Sequence, residues 1–373
     1  MSLASAMYLA GTHPARAQAG AGVPSTPVVG ETHRVATEAS AAARDARGRD
    51  TLRITVWYPA AEGSVARPLV IGPPGKPLVD VGAVAQDAPF AADPRGERRP
   101  VVLLSHGFGG SARVMGWLGT ELARNGYVVI AVDHPGNNAL DDMTVAGSLL
   151  WWERAEDLKT ALERVSRDSA IGPHLDLQRV GAAGFSAGGF TALLLGGARA
   201  DQQNFRRFCD AHPDDGVCRP QVEFTVTEAA AESALKDPKV APFLAREKDD
   251  HSLPFVRAVF VMAPAIVQGI EPRSLARMKV PVAIVVGDSD QVAPSATNAR
   301  VAADSIRGAM LTMTPGATHY SFLATCTAAG TAALEECALA KRQEQAHRIA
   351  IERARELFAR TLGAPSKSEA GSR

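Results

Sequence analysis

The stretch Gly184-Phe185-Ser186-Ala187-Gly188-Gly189 decides how the rest of the chain is interpreted. It stands between an apolar, strand-like segment and a helix-like segment. Glycines on both sides of the serine remove Cβ atoms that would collide where a strand reverses sharply into a helix. The serine then occupies a tight corner beside a helix N-terminus, where N–H groups favour developing negative charge. The pattern predicts a reactive serine, and a glycine-rich packing turn is the alternative.

Composition bounds the possibilities. With 373 residues the chain can bury the core of one large α/β domain or of two smaller ones. Its 40 basic and 40 acidic residues balance, so we expect no nucleic-acid partner. No apolar run reaches the ~18 residues that a membrane-spanning helix needs, so we expect no transmembrane segment. The oligomeric state is left open.

The two ends of the chain are expected to lie outside the fold. Residues 1–33 are rich in Ala, Gly, Pro and Thr, and Ala15-Arg16-Ala17 is similar to a signal-peptidase site, but a basic start is missing. This leader is either signal-like, with its true start upstream of Met1, or disordered. Residues 363–373 form a polar tail that we expect to be disordered. The signal interpretation predicts a periplasmic or secreted protein, and the alternative is a cytoplasmic one.

The cysteines fall into two local pairs, Cys209 with Cys218 and Cys326 with Cys337. Their spacings are too wide for a Cys-x-x-Cys zinc or redox motif. Pairing of nearest neighbours would close two short loops, which suits an exported protein. Four reduced thiols are the alternative.

Between these ends, apolar strand-like runs alternate with helix-like segments over residues 34–362. This order predicts one α/β domain with a mostly parallel, doubly wound sheet. Residues 52–58 read as a half-solvated strand near an edge, 68–99 as irregular coil and 334–362 as one long helix. The polar segment 199–252 interrupts the alternation and is expected to be a lid or cap insertion. The remaining strands are expected at residues 101–105, 128–132, 179–185, 256–262, 280–286 and 309–313.

A serine hydroxyl is a weak nucleophile at neutral pH unless a base accepts its proton and a third group orients that base. In sheets with this serine turn the acid follows the serine and the histidine comes last. His319 follows the last expected strand across a Pro-Gly turn and is the preferred base. His251 lies in the insertion and His347 in a solvated helix. Asp288 and Asp290 both follow the strand 280–286, and either is a candidate acid.

The chain resembles the α/β-hydrolase superfamily, and within it bacterial dienelactone-hydrolase-like serine esterases related to the plasma-type platelet-activating-factor acetylhydrolases. The resemblance covers about residues 34–362. It rests on these motifs: Ile54-Thr55-Val56-Trp57-Tyr58-Pro59, His106-Gly107-Phe108-Gly109-Gly110, Asp133-His134-Pro135-Gly136-Asn137 and the serine turn. It implies that the acid is Asp290, with Asp288 as the alternative, because the relatives carry a Gly-x-x-Asp pattern there. True dienelactone hydrolases use a cysteine nucleophile where this chain has Ser186, so the resemblance favours a serine esterase.

An oxyanion hole is expected beside the serine. One donor is the backbone N–H of Ala187, the residue after the nucleophile, and the other is an N–H of the loop 106–110. The resemblance assigns the second donor to Phe108, whose side chain would also wall the acyl pocket. A helix-entry turn is the structural alternative for this loop.

Several aromatic and imidazole side chains stand near these motifs. His106 and His134 are more typical of hydrogen-bonded structural residues than of metal ligands. We therefore expect no metal, and the chemistry calls for no cofactor. Possible pocket residues are His106, His134, Trp151, Trp152 and Tyr320.

Three functions follow from these residues. The first is hydrolysis of a small-molecule or lipid-like carboxylic ester through an acyl-enzyme on Ser186. The second is acyl transfer, or hydrolysis of a bulky ester such as a polyester, a phthalate diester or a phospholipid acyl chain. The third is non-catalytic binding on a hydrolase fold.

Overall fold

The computed structural model describes residues 27–363, apart from residues 92, 94 and 95. Most of the leader 1–33 and all but the first residue of the tail 363–373 therefore lie outside the described residues. The first strand begins at Val29, five residues before the expected start of the domain at residue 34. All described residues belong to one compact unit.

Eleven strands within the described residues form one mixed sheet. They lie in the order β10-β9-β8-β7-β5-β6-β2-β1-β4-β11, with β3 paired to β4. The six strands from β10 to β6 are parallel, and β2 and β1 continue the sheet antiparallel. The strands are β1 (Val29–Thr37), β2 (Thr51–Pro59), β3 (Arg67–Ile71), β4 (Val79–Gln86), β5 (Arg99–Ser105), β6 (Val128–Asp133), β7 (Leu175–Phe185), β8 (Val256–Met262), β9 (Val282–Gly287), β10 (Met310–Thr314) and β11 (Thr325–Cys326).

Helices cover both faces of the sheet. The helices are α1 (Ala41–Arg44), α2 (Gly116–Arg124), α3 (Val145–Leu149), α4 (Glu153–Ser166), α5 (Ala187–Leu195), α6 (Gln202–Ala211), α7 (Glu228–Leu235), α8 (Ala241–Leu244), α9 (Pro272–Arg277), α10 (Ala299–Ser305), α11 (Ala328–Ala333), α12 (Glu335–Leu339) and α13 (Gln343–Leu362). Helices α2 and α13 pack together on one face, and α4 and α5 pack together on the other. The doubly wound α/β arrangement predicted from the sequence is confirmed.

The position of the serine turn follows from this topology. The chain passes from β5 to β6 on one side and then returns to β7 on the other side of β5. The order of strands therefore reverses between β5 and β7, and their carboxyl ends flank a crevice, the usual ligand position in open α/β sheets. The loop 106–110 follows β5, and Ser186 follows β7.

Three sequence predictions about the elements are wrong. The expected edge strand, β2, is interior, because β1 pairs along its whole length and most of its residues are buried. The expected coil 68–99 contains most of β3 and all of β4. The expected single helix 334–362 is divided, because Arg342 has a left-handed backbone with φ of 58° before α13 begins.

Both local cysteine pairs are disulfides, Cys209–Cys218 and Cys326–Cys337, which confirms the predicted pairing. The first closes a loop within the insertion 199–252, which also carries α6, α7 and α8. The second lies between β11 and α12, shortly after His319. Among the described residues, no helix has the length and apolar character needed to cross a membrane.

Candidate active site

Ser186 stands on the sharp corner between β7 and α5 with a positive φ of 55°. This conformation is costly for a residue with a side chain and is held by its surroundings. The flanking glycines allow it, because a Cβ at Gly184 would lie 1.9 Å from the Gly188 carbonyl oxygen. A Cβ at Gly188 would lie 2.1 Å from the carbonyl oxygen of Ser105. The turn has the strained geometry expected of a nucleophile elbow.

The structure brings Ser186, His319 and Asp290 together in a hydrogen-bonded row. His319 Nε2 lies 2.9 Å from Ser186 Oγ, and His319 Nδ1 lies 2.8 Å from Asp290 Oδ2. The side chain of His319 is 4% exposed and that of Asp290 is fully buried. This is the spacing that a serine, a base and an orienting acid require.

The two candidate acids have different surroundings. Asp290 Oδ1 accepts hydrogen bonds from the backbone N–H groups of Val292 and Ala293, at 3.0 and 2.8 Å, which leaves Oδ2 for His319. Asp288 is exposed, and its Oδ1 accepts from the backbone N–H of Gly316 at 2.7 Å. Asp290 is therefore the carboxylate that contacts the imidazole.

The residues expected to supply the two oxyanion donors belong to two segments next to the serine. Ala187 is the first residue of α5, so its N–H is one of the donors that an α-helix leaves without an internal partner. The loop 106–110 passes next to Ser186, because a Cβ at Gly107 would lie 3.2 Å from Ser186 Cβ. Phe108 is half-buried at the centre of this loop.

The side chains of His106 and His134 are almost fully buried and do not line an open pocket. His134 Nε2 is 2.9 Å from Ser105 Oγ, and His134 Nδ1 is 2.8 Å from Asp157 Oδ2. Asp157 also accepts two hydrogen bonds from Arg44, at 2.9 and 2.6 Å. These contacts occupy both imidazole nitrogens of His134, so it is a structural residue.

Burial governs the protonation of this network. It lowers the pKa of His106 well below the usual range and, together with the charge of Arg154, lowers the pKa of His134 to about 3. Burial alone would raise the pKa of Asp157, but the adjacent Arg44 lowers it to about 2. Both histidines are therefore neutral at physiological pH, and Asp157 is charged. Sequence reasoning missed Asp157, Arg44 and Arg154.

The insertion reaches the site through Glu223. A Cβ at Gly109 of the loop 106–110 would lie 2.8 Å from Glu223 Cβ. The hydroxyl of Tyr320 donates to Glu223 Oε1 at 3.3 Å, and the Tyr320 ring meets the His319 ring edge to face. Burial raises the pKa of Glu223. Tyr320 is thus near the site as expected, whereas Glu223 was missed because nothing in the polar insertion singles it out.

The two tryptophans differ in their environments. Trp152 is fully buried, and its Nε1 donates to the carbonyl of Phe243 at 2.8 Å, so it belongs to the core and not to the pocket. Trp151 is half-buried and packs edge to face against Phe190 of α5 and Phe205 of α6. It therefore joins the insertion to the helix that follows the serine.

The other C-terminal histidines lie elsewhere. His251 Nδ1 is 2.7 Å from Glu156, and His347 stacks on Trp117 with ring centroids 3.8 Å apart. His347 Nε2 is also bonded to the Leu323 carbonyl, so its side chain packs against the protein and is not a solvated helix residue.

The comparisons with known proteins agree with this architecture. The family described as serine aminopeptidase, S33, matches residues 96–208, the part that carries the loop 106–110 and the serine turn. A ferulic acid esterase from Streptomyces cinnamoneus has a similar structure, with a TM-score of 0.59 and 20% identity over 95% of this chain and 96% of that one. This chain has the α/β-hydrolase fold. The predicted resemblance to that superfamily is confirmed.

Two curated relatives are cutinases. Cutinase est2 of Thermobifida alba is 33% identical over 102 residues, which is 27% of this chain and 31% of the relative. Cutinase 2 of Thermobifida cellulosilytica is also 33% identical over 102 residues, 35% of its length. The match therefore spans about a third of the length of these relatives. The narrower resemblance to dienelactone-hydrolase-like proteins stays a prediction.

Proposed function

We propose that this protein is a carboxylic ester hydrolase that works through an acyl-enzyme on Ser186. The observation that carries the proposal is the row from Ser186 Oγ to His319 Nε2 at 2.9 Å and from His319 Nδ1 to Asp290 at 2.8 Å. The names of the similar proteins, cutinase and ferulic acid esterase, support an ester as the substrate class.

In the first half of the reaction Ser186 Oγ attacks the ester carbonyl carbon while His319 Nε2 accepts the hydroxyl proton. Asp290 keeps Nδ1–H of the imidazole pointed towards it and stabilises the imidazolium that forms. The N–H groups of Phe108 and Ala187 hold the negatively charged carbonyl oxygen of the tetrahedral intermediate. His319 then protonates the leaving alkoxide, and the acyl group remains on Ser186.

In the second half a water molecule attacks the acyl carbon. His319 accepts a proton from this water, and the second tetrahedral intermediate uses the same two N–H donors. Collapse returns the proton to Ser186 Oγ and releases the carboxylic acid. Every proton step passes through His319 Nε2, so the reaction requires neither a metal nor a cofactor.

The insertion 199–252 is proposed to act as a lid. Its Glu223 lies against the oxyanion loop, and Trp151 packs against its helix α6. Ser186 is 6% exposed. Under this proposal the insertion moves to admit substrate, and its shape selects acyl and leaving groups.

The second candidate function differs from the first in the molecule that accepts the acyl group from Ser186, or in the size of the ester. Acyl transfer, or hydrolysis of a bulky polyester, phthalate or phospholipid ester, would use the same acyl-enzyme. The relatives named cutinase favour a lipid-like polyester among these.

The two disulfides favour an exported protein, because oxidising compartments preserve them.

Ser186→Ala tests the proposal. The purified variant should lose nearly all turnover of p-nitrophenyl acetate, whereas Ser166→Ala, at the end of α4, should keep wild-type turnover. A Ser186→Ala protein with full turnover would overturn the proposal. A fluorophosphonate probe separates enzyme from binding protein, because a binding protein without a reactive serine would form no adduct at Ser186.

A further inference from the structure

Arg154 is a buried cation whose hydrogen-bond acceptors are all uncharged. It projects from α4, and its side chain is almost inaccessible, with 2% of the residue exposed. Nε donates to Thr191 Oγ1 at 3.2 Å, Nη1 donates to Asn137 Oδ1 at 3.0 Å, and Nη2 donates to Ser105 Oγ and to the His106 carbonyl. Among the described residues, no carboxylate forms an ion pair with Arg154.

Two of these acceptors hold the oxyanion loop 106–110. The His106 carbonyl belongs to the first residue of the loop and receives Nη2 directly. Asn137 Oδ1, which receives Nη1, also accepts the backbone N–H of Gly109 at 3.1 Å. Arg154 therefore fixes the backbone on both sides of Phe108.

A contribution to packing alone does not explain an arginine here. Removing a guanidinium from water is costly, and no direct anionic partner offsets that cost. Burial accordingly lowers the pKa of Arg154. An apolar side chain of similar volume would fill the space without this penalty. What the guanidinium adds is a rigid fork that reaches several acceptors at once.

We propose that Arg154 is a positioning residue for the oxyanion hole. Its guanidinium holds the loop 106–110 in the conformation that directs the Phe108 N–H at the oxygen that gains charge when Ser186 attacks. Arg154 acts through the loop and does not touch the substrate. This inference rests on the proposed ester hydrolysis and adds a residue to it.

The proposal predicts a specific kinetic signature. The hydrogen bond from an oxyanion donor to the substrate oxygen is stronger in the transition state than in the ground state. A misdirected donor should therefore lower kcat and leave KM nearly unchanged. A boronic acid that forms a tetrahedral adduct on Ser186 should lose affinity in proportion to the loss of kcat/KM, because its adduct places an oxygen in the same hole.

The experiment compares Arg154→Lys with Arg44→Lys. Both positions are buried arginines of the same network, but Arg44 bonds to Asp157 and not to the loop. For Arg154→Lys we expect kcat to fall by about 10- to 100-fold, less than the ~10²- to 10³-fold loss on removing an oxyanion donor outright. Phenylboronic acid should bind correspondingly more weakly. Arg44→Lys should lower the Tm and keep both quantities near the wild-type values.

A second variant keeps the test decisive if Arg154→Lys does not fold. Asn137→Leu keeps Arg154 but removes the oxygen that joins its Nη1 to the Gly109 N–H, together with the hydrogen bond from Asn137 Nδ2 to the Gly147 carbonyl. A smaller loss of kcat with unchanged KM should follow. The proposal is overturned if folded Arg154→Lys keeps wild-type kcat and boronate affinity, or, should it not fold, if Asn137→Leu does. Failure of the underlying function looks different, because the wild-type protein itself would then not react with a fluorophosphonate at Ser186.

Discussion

Asp290 Oδ2 lies 2.8 Å from Nδ1 of His319, while Asp290 Oδ1 is held by the backbone N–H groups of Val292 and Ala293. The carboxylate is thus fixed by the loop after β9 before it orients the imidazole. Asp288 lies two residues earlier and bonds to Gly316 instead. Of this pair, only Asp290 contacts the imidazole of His319.

Replacing the two aspartates by asparagine separates their roles. Asp290→Asn should lower kcat by about 10³- to 10⁴-fold, because the amide favours the wrong tautomer of His319 and cannot stabilise the imidazolium. Asp288→Asn should change kcat by no more than about twofold. Steady-state kinetics on p-nitrophenyl butyrate measures both. Equal losses in the two variants would be incompatible with Asp290 as the orienting acid.

Reduction of the disulfide Cys209–Cys218 should affect stability and activity together. Its loop carries Asp215, which accepts a hydrogen bond from Thr297 Oγ1 at 2.8 Å, and Gly216, which packs on the carbonyl of Gln291 beside Asp290. Cys209→Ser/Cys218→Ser should lose roughly 2–4 kcal/mol of unfolding free energy. Its kcat should also fall, since the loop that supports Asp290 loosens.

Urea unfolding and kinetics on the same double variant check this prediction. Asp215→Ala retains the disulfide and is the control for the contact with Thr297, so it should lower kcat with a smaller loss of stability. Unchanged kcat in both variants would mean that the insertion does not support the loop after β9 that carries Asp290.

Stability should decrease in mild acid because of buried neutral histidines. Burial lowers the pKa of His134 to about 3 and that of His347 to about 4, from the ordinary 6.5. Below pH 6.5 these two histidines take up protons in the unfolded chain but stay neutral in the folded protein. The unfolding free energy therefore falls as the pH falls towards 4. Each histidine contributes a slope of about 1.4 kcal/mol per pH unit within its window.

Urea titrations at a series of pH values measure this slope. His347→Gln should make the dependence of the unfolding free energy on pH shallower, because one histidine fewer takes up a proton on unfolding. His347 suits this test because it stacks on Trp117, away from the row of Ser186, His319 and Asp290. A slope identical to that of the wild type would show that His347 takes up its proton equally in both states.

Glu223 should bias the enzyme against anionic esters. Glu223 lies between the loop 106–110 and Tyr320, so a substrate with a free carboxylate would meet a like charge there. At pH 8, Glu223→Gln should raise kcat/KM for a monoester of a dicarboxylic acid by about 3- to 10-fold relative to the neutral diester, the order of one partly exposed charge pair. Tyr320→Phe is the matched control, since it removes the contact with Glu223 but keeps the charge. Equal changes for both esters would place Glu223 outside the substrate site.

The central sheet and the row of three residues could be predicted from local patterns. The serine turn can be recognised in the sequence because the backbone approaches too closely there for residues other than glycine. The buried parallel strands can be recognised as continuous apolar runs. The choice of Asp290 over Asp288 as the acid came only from the resemblance to the α/β-hydrolase relatives. Its loop geometry, which gives one oxygen to Val292 and Ala293, depends on the fold and could not be inferred from two adjacent carboxylates.

Other features depended on tertiary context. Strand β1 is stabilised by pairing with β2, and its Ala- and Thr-containing sequence shows little apolar periodicity. The break at Arg342 occurs without a nearby glycine or proline. Arg154 and Asp157 were not identified from the sequence, although their spacing of three places them on the same buried face of α4 as Leu158 and Ala161. A helix face that mixes charged with apolar residues was the available signal for the buried network.

The intact mass of the protein during turnover tests the central claim most directly. Rapid acid quenching of the wild-type protein with p-nitrophenyl acetate should trap a species heavier by one acetyl group, and peptide mapping should place it on Ser186. Ser186→Ala should show no such species. Turnover without any acyl adduct on Ser186, or an adduct that persists unchanged in Ser186→Ala, would contradict a mechanism in which this serine is the nucleophile.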